Sequence, residues 1–419
     1  MPIDLSLGRV TQLLTVLGNP QKVWKCIHVA GTNGKGSVCS YLSHILESSN
    51  ISTGRFTSPH LLHPNDSINI NNRPISRKRY DYEFRKVKEL NEKELIGATE
   101  FELLTCTAFY VFAQFEIEIA IVEVGLGGRL DATNVIPGFD GGWGVLVSAI
   151  TKIGLDHESL LGNSLSQIAK EKAGIIKQFV PCVIDGSNDT KVLQVVKDVA
   201  FQNNCKLFET FPHEAVVFDQ QVPLLGEFQK CNLAVALKVT EILRSKFNYR
   251  ITRQAIVNGV RNTKWPGRLQ RLTATIRKQP LNLLLDGAHN GQAAIELSKY
   301  LDTLRSLESP LSFVIAVTGG KTLTPMLAPL IKKQDYVTVT TFSSVEGMPW
   351  IKAMDCEVLA REIRKFTSNV TVQEHLEGAL IKAAQFSQSP TVPLIVCGSL
   401  YLAADVLRLV EEDIDSVNA

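Results

Sequence analysis

The short apolar run Cys26-Ile27-His28-Val29-Ala30 passes directly into Gly31-Thr32-Asn33-Gly34-Lys35-Gly36-Ser37. From Val38 to Glu47 the apolar spacing becomes helical through Leu42, Ile45 and Leu46. A strand that turns through glycines into a helix points main-chain amides at one spot and sets a lysine beside them, which suits a phosphate group. The turn departs from the common G-x-x-x-x-G-K-[ST] pattern. Val29 stands where the first glycine would be, and Gly36 follows the lysine where a hydroxyl is expected. A magnesium ion beside the phosphates then needs an oxygen from elsewhere. Ser37, one residue late, is one source; the loop Thr57-Ser58-Pro59-His60 is another, although a lone Ser-Pro is by itself an ordinary turn.

The rest of the chain repeats this alternation. The spacing predicts an opening helix over 4–17, stopped by Gly18-Asn19-Pro20, and buried strands over 117–124, 144–150 and 181–185. Helices are expected between them, at 100–114 and 165–177. Strand-then-helix order implies a mostly parallel sheet covered on both faces. Near Trp265-Pro266-Gly267-Arg268 the composition changes and the alternation restarts, with strands expected at 281–285, 313–317, 336–341 and 394–397 and a helix running to about 304. Residues 1–268 therefore read as a first α/β domain and 269–419 as a second, smaller one; 419 residues suffice for two or three domains at ~100–200 each. Residues 203–222 read as a surface excursion.

Composition removes several function classes. With 44 basic and 42 acidic residues and no long basic run, nothing suggests a nucleic-acid partner. No stretch approaches the ~20 apolar residues of a membrane span. Eight cysteines without a CxxC read as reduced, buried thiols of a cytosol-like compartment. No basic segment followed by an apolar block opens the chain, and the acidic Asp4 with little arginine argues against a mitochondrial leader.

Other residues are candidates by position. Glu123 ends an apolar strand before Gly125-Leu126-Gly127-Gly128, where ligands gather in parallel sheets; its bland reading is a strand-end acid facing water. His157 in Leu155-Asp156-His157 reads as an ordinary loop histidine or a metal ligand. Asp286, with His289 and Asn290, reads equally well as a helix-capping turn, and Arg268 as a surface charge. In Ile168-Ala169-Lys170-Glu171-Lys172-Ala173-Gly174 the bland reading is a solvated helix face, and spacing does not separate Lys170 from Lys172.

Taken together and in order, the segments at 31–37, 57–60, 123–131, 155–157, 169–176, 265–268 and 286–290 resemble the folate branch of the Mur-ligase superfamily. Its members join glutamate to pteroate or folate. Thr99-Glu100-Phe101-Glu102-Leu103-Leu104-Thr105 and Glu346-Gly347-Met348-Pro349-Trp350 are most similar to the fungal members that add the first glutamate. The resemblance implies an N-terminal P-loop NTPase-like domain with a parallel sheet and a smaller Rossmann-like α/β domain that closes over ATP and binds glutamate. It implies that Asn33, Gly34, Lys35, Gly36, Ser37, Asn232, Arg268 and Asp286 hold ATP, and that Ser58, Glu123 and His157 ligate two magnesium ions. Lys172 matches a lysine that the family carbamylates, which would make it an anionic ligand. Thr99, Glu100, Phe101, Glu102, Leu130 and Asp131 match the pterin site, and His289 and Asn290 the phosphate or glutamate side. Lys35, His157 and Lys172 are thus the expected catalytic residues, dihydropteroate, L-glutamate and ATP the expected partners, and a monomer the expected state.

Two rivals remain at this level. Members that extend a glutamyl tail usually carry Asn-Glu-Arg-Ile or Arg-Glu-Arg-Ile after Thr-Ser-Pro, and eukaryotic ones a lysine at the position of Asn33. Here the stretch is His63-Pro64-Asn65-Asp66-Ser67-Ile68, without arginine, which favours addition of the first glutamate over tail extension or a bifunctional enzyme. A nucleotide switch or binding protein is the rival of another class. It lacks an Asn-Lys-x-Asp motif here, Thr151-Lys152-Ile153-Gly154 being the nearest approach.

Overall fold

The computed structural model describes residues 6–218, 222–305, 310–386 and 392–418. The chain divides into two compact units. The first takes in Met1–His60, Pro64–Pro223 and Phe228–Lys264, the second Leu61–His63, Leu224–Glu227 and Trp265–Ala419.

The first unit contains α1 (Gly8–Val16), β1 (Lys25–Ala30), α2 (Lys35–Glu47), β2 (Thr53–Phe56), β3 (Ile68–Ile70), β4 (Arg73–Pro74), α3 (Arg77–Lys93), α4 (Glu100–Gln114) and β5 (Ile119–Glu123). It continues through β6 (Gly144–Ile150), α5 (Glu158–Leu161), α6 (Leu165–Ala173), β7 (Cys182–Asp185), α7 (Thr190–Gln202), β8 (Leu207–Thr210), α8 (Phe228–Phe247) and α9 (Arg253–Asn262). Its sheet runs in the order β4-β3-β2-β5-β1-β6-β7-β8, parallel from β2 to β8, with β3 and β4 added antiparallel at one edge. β1 is therefore central. Its apolar residues are buried because both sheet faces are covered. Helix α2 packs with α8 and α9 on one face. On the other, Trp24 meets Phe109 and Phe112 edge-on at 5.2 and 6.0 Å, and Ile168, Ala173, Val192 and Val196 close a second cluster.

The elements differ from expectation where local chemistry intervenes. Helix α1 begins at Gly8 after Leu7, which makes no side-chain cap; Asp4 lies outside the described residues. Helix α6 ends at Ala173, short of the expected 177, with Gly174 as its C-cap, lying so close to Arg129 that a Cβ there would come within 2.4 Å of the arginine Cβ. The excursion at 203–222 resolves into β8 and a 3-10 turn at Pro212–Phe218, with 219–221 outside the described residues. All eight cysteines are free; Cys205 and Cys231 are half-buried, contrary to the expectation of uniform burial.

The second unit contains β9 (Gln270–Ile276), β10 (Gln279–Leu285), α10 (Gly291–Asp302), β11 (Ser312–Ile315), α11 (Thr324–Leu330), β12 (Tyr336–Val339), α12 (Cys356–Ile363), β13 (Val370–Val372), α13 (Leu376–Ala384), β14 (Leu394–Cys397) and α14 (Leu400–Asn418). The order is β13-β12-β11-β14-β10-β9, parallel except for the edge hairpin of β9 with β10. No helix among the described residues is long and apolar enough to cross a membrane.

Helices α2 and α9 approach so closely that a Cβ at Gly259 would lie 2.4 Å from Ile45 Cα, a backbone atom that cannot rotate away. Gly259→Ala is expected to destabilise the first unit by about 1–3 kcal/mol, the usual cost of overpacking. A lowered urea midpoint by circular dichroism would register it; an unchanged midpoint would mean that the two helices separate freely.

Candidate functional site

The phosphate-type turn after β1 is shaped by close approaches. Gly31 and Gly34 have φ of 151° and 93°. A Cβ on Gly31 would lie 1.9 Å from Thr151 Oγ1, and one on Gly34 would lie 2.1 Å from Asn232 Oδ1. Only glycine fits either position. The turn is also tied to the loop after β6. Lys152 O accepts from the amides of Thr32 and Asn33 at 2.8 and 3.1 Å, and Thr151 Oγ1 donates to Asn33 O at 2.7 Å. Thr32 Oγ1 donates to Gly154 O at 3.1 Å and accepts from Gly154 N at 3.0 Å.

Helix α2 starts at Lys35, earlier than the expected 38. The amide of Asn33 is already engaged, so the N–H groups at the helix start are those of Gly34, Lys35, Gly36 and Ser37, which an α-helix leaves without intrahelical partners. Asn232 stands over them from α8, held by its Nδ2 donating to Gln229 Oε1 at 2.9 Å; Gln229 Nε2 donates in turn to Ser37 Oγ at 3.3 Å. Ser37, whose hydroxyl accepts that bond, is buried, whereas Ser58, just past β2, is half-buried and the more accessible of the two expected magnesium oxygens.

Glu123 does not face water. It is buried, pairs in register with Val29 of β1, and its Oε1 lies 3.8 Å from Lys35 Nζ. Phe56 of β2 is opposite Val122, so Ser58 and Glu123 both follow the carboxyl ends of neighbouring parallel strands. Among the described residues no group of three or more His, Cys, Asp or Glu side chains is arranged to hold a metal. Magnesium in phosphate sites, however, takes one or two protein oxygens, the phosphates and water, and the Glu123–Ser58 pair fits that requirement. His157 fits less well: its side chain is 51% exposed, and Asp156 Oδ1 lies 3.9 Å from Nε2 while accepting from the His157 amide at 2.9 Å.

Packing separates the two lysines of α6. Lys170 is exposed and Lys172 buried, so the solvated-face reading fails for Lys172. Its Nζ donates to Gly31 O at 2.9 Å, beneath the turn. Burial, helped by the nearby charge of Lys35, pulls its ammonium down to about 7, against the opposing pull of Asp156 and Asp131. A substantial share of the amine is thus neutral near pH 7.

Of the residues expected at a pterin site, Phe101 reaches the loop that leads to Leu130 and Asp131. The Phe101 ring lies over Gly125, where a Cβ would be 2.3 Å from Cζ. Thr99 and Glu102, by contrast, form a capping box at the start of α4, Glu102 also accepting from Arg9 Nε at 3.1 Å; Glu100 lies in that first turn. Asp131 is buried and accepts from the amides of Leu126 and Thr133 at 2.8 and 3.0 Å, with Leu130 half-buried before it.

In the second unit Asp286 follows β10, buried, and accepts from Leu269 N at 2.9 Å and Ala288 N at 2.8 Å. Burial pushes its carboxyl up, against the pull of the Arg268 guanidinium and both amides. It is not the cap of α10: Asn290 is, accepting from Ala293 N at 2.9 Å. His289 Nδ1 lies 2.8 Å from Gly287 O.

Sequence reasoning passed over several residues. Asp156 is the carboxylate that acts most strongly on Lys172. Asn188 accepts from Ile153 N at 2.8 Å and donates to Thr151 O at 3.2 Å, fixing the loop that backs the turn. The turn residues Asp185-Gly186-Ser187 before Asn188 were its only local signal.

Comparison with known proteins finds relatives along nearly the whole chain. Residues 269–409 match the family described as "Dihydrofolate synthetase, C-terminal domain". The chain is 44% identical to the dihydrofolate synthetase of Saccharomyces cerevisiae, over 98% of both chains. It is 41% identical to a probable dihydrofolate synthetase of Schizosaccharomyces pombe, over 99% of this chain and 100% of that one. The structure of Mycobacterium tuberculosis folylpolyglutamate synthase complexed with ADP superposes with a TM-score of 0.83 at 31% identity, covering 97% of this chain and 95% of that one. Likeness along nearly the whole chain, to two dihydrofolate synthetases and to a folylpolyglutamate synthase structure, places this protein in the dihydrofolate synthetase and folylpolyglutamate synthase family, with the Mur-ligase fold.

Proposed function

We propose that this chain joins L-glutamate to 7,8-dihydropteroate, using ATP and passing through an acyl phosphate, to give dihydrofolate, ADP and phosphate. The observation that carries the reading is the likeness over nearly the whole length to two dihydrofolate synthetases. The segment at 63–68, without the arginine of tail-extending members, points the same way. Residues 1–268 would carry the nucleotide and pterin sites, and 269–419 the ligase domain that takes glutamate. The free thiols suit a reducing compartment such as the cytoplasm.

The first step brings a carboxylate to a phosphate, both anionic, so neutralisation and positioning are the main demands. The amides of Gly34 to Ser37 and the ammonium of Lys35 would receive the phosphates of ATP. The pteroate carboxylate attacks the γ-phosphorus, ADP leaves, and the acyl phosphate is formed. The α-amine of glutamate, having lost its proton, attacks the acyl carbon, and phosphate departs as the amide forms. Glu123 and Ser58 would hold a magnesium ion, which would supply positive charge against the two anions. Asn232 would shape the mouth of the phosphate turn, and Arg268 and Asp286 would contact the nucleotide. Leu130 and Asp131 with Phe101 would line the pterin site, and His289 and Asn290 the phosphate or glutamate side.

Lys172 would act as a carbamate, and its environment supports this. It is buried and held near neutrality, which leaves a nucleophilic amine to capture carbon dioxide. The resulting anion would suit a second magnesium ion near Asp156 and His157.

Mass analysis of products tests the main reading. Purified enzyme with ATP and glutamate is expected to convert dihydropteroate to dihydrofolate and to extend tetrahydrofolate poorly. Efficient formation of a diglutamate from tetrahydrofolate would make the chain a tail-extending enzyme instead.

The two lysines of α6 provide a separate test. Lys172→Ala is expected to lower kcat by about 10²–10³-fold, the size typical of losing one preorganised charged group. Lys170→Ala should stay within about twofold of wild type, as exposed substitutions usually do. A carbamate carbon signal in wild type supplied with ¹³C-bicarbonate, missing in Lys172→Ala, would support the modification. Equal and mild effects from both substitutions would sink it.

A further inference from the structure

A buried chain of hydrogen bonds runs from the central strand to the glycine loop after β5. His28 Nε2 lies 2.8 Å from Thr133 Oγ1, and both residues are fully buried. The Thr133 hydroxyl donates to Asp131 Oδ1, the oxygen that also accepts from the Thr133 amide at 3.0 Å. A hydroxyl has one proton. With that proton given to the carboxylate, Thr133 Oγ1 can only accept from the ring, so the proton of the imidazole sits on Nε2. Burial and the nearby Lys177 keep the imidazole neutral, pulling its pKa down to about 3. Its one ring proton is therefore committed to this bond. Nδ1 finds no hydrogen-bond partner among the described residues, an uncommon cost for a core position that packing alone would not require.

The far end of the chain meets the loop. Asp131 Oδ2 accepts from Leu126 N at 2.8 Å, and the Asp131 amide donates to Gly128 O at 3.2 Å. Asp131 thus closes residues 126–131 on themselves, next to Gly125, over which the half-buried Phe101 ring lies. Phe101 and Asp131 are both among the residues that the family resemblance sets at the pterin site.

We propose that His28 and Thr133 are positioning residues which, acting through Asp131, hold the 125–131 loop in the shape that receives the bicyclic ring of the pteroate substrate. This rests on the substrate reading given above. Neither residue touches substrate or ATP; their contribution is the orientation of a carboxylate that organises a loop.

Steady-state kinetics of the intact enzyme with ATP, glutamate and dihydropteroate test it. Thr133→Val keeps shape and amide but removes the hydroxyl relay. It is expected to raise KM for dihydropteroate by about tenfold or more while kcat and KM for ATP stay within about twofold. Thr133→Ser, which keeps the hydroxyl, should restore KM. His28→Leu should behave as Thr133→Val does. His28→Gln, whose amide can donate from nearly the same place, should behave as wild type. The histidine pair gives the same comparison if Thr133→Val does not fold.

A KM for dihydropteroate unchanged in Thr133→Val overturns the proposal. So does a parallel worsening of kcat and both KM values in the valine and serine variants alike, because that marks a purely structural network. A wild type inert toward dihydropteroate is a different failure: it removes the substrate reading itself. Amide hydrogen exchange then still reports on the network, since loss of protection at Leu126 in Thr133→Val needs no substrate.

Discussion

The first unit depends on how closely one turn can lie against its neighbours. Gly31 and Gly34 bring the backbone within reach of Thr151 and Asn232 with no room for a Cβ. That closeness lets Lys152 O and Thr151 Oγ1 clamp the turn from one side while α8 holds Asn232 over it from the other. With the turn fixed, the first amides of α2 have a set direction before any anion arrives. Preorganisation of this kind stabilises developing charge without reorganising at the moment of reaction.

The charges around the turn follow from the same packing. Lys172 is buried beneath Gly31 O, and Lys35 reaches toward Glu123 at the end of the adjacent strand. Burial disfavours the charged form of Lys172, the charge of Lys35 adds to this, and its ammonium is pulled down to about 7.

Some of this was legible in the amino-acid order. An apolar strand breaking into Gly31-Thr32-Asn33-Gly34-Lys35 leaves few alternatives, and Glu123 at the close of an apolar strand is marked by position. Other features belong to distance in sequence. Lys170 and Lys172 have the same local surroundings, and only the approach of the turn from residues far upstream buries one of them. Asp156 acts on Lys172 of α6 and Asn188 on the loop after β6, partners that neither residue's immediate neighbours in sequence reveal. Strand β9 was missed because its residues alternate exposed and buried along a sheet edge, which lacks the apolar run by which central strands are recognised.

A turn whose shape depends on the absence of a Cβ should lose its hold on nucleotide when one is added at Gly34. Calorimetric titration of a non-hydrolysable ATP analogue into wild type and Gly34→Ala tests it most directly. A Cβ at this position meets Asn232 at 2.1 Å in a backbone conformation with φ of 93°. The account predicts that affinity falls by about a hundredfold or more, roughly 2.7 kcal/mol, with the circular dichroism spectrum unchanged. Binding within about threefold of wild type would contradict it, because the turn would then form its cradle without the close approach.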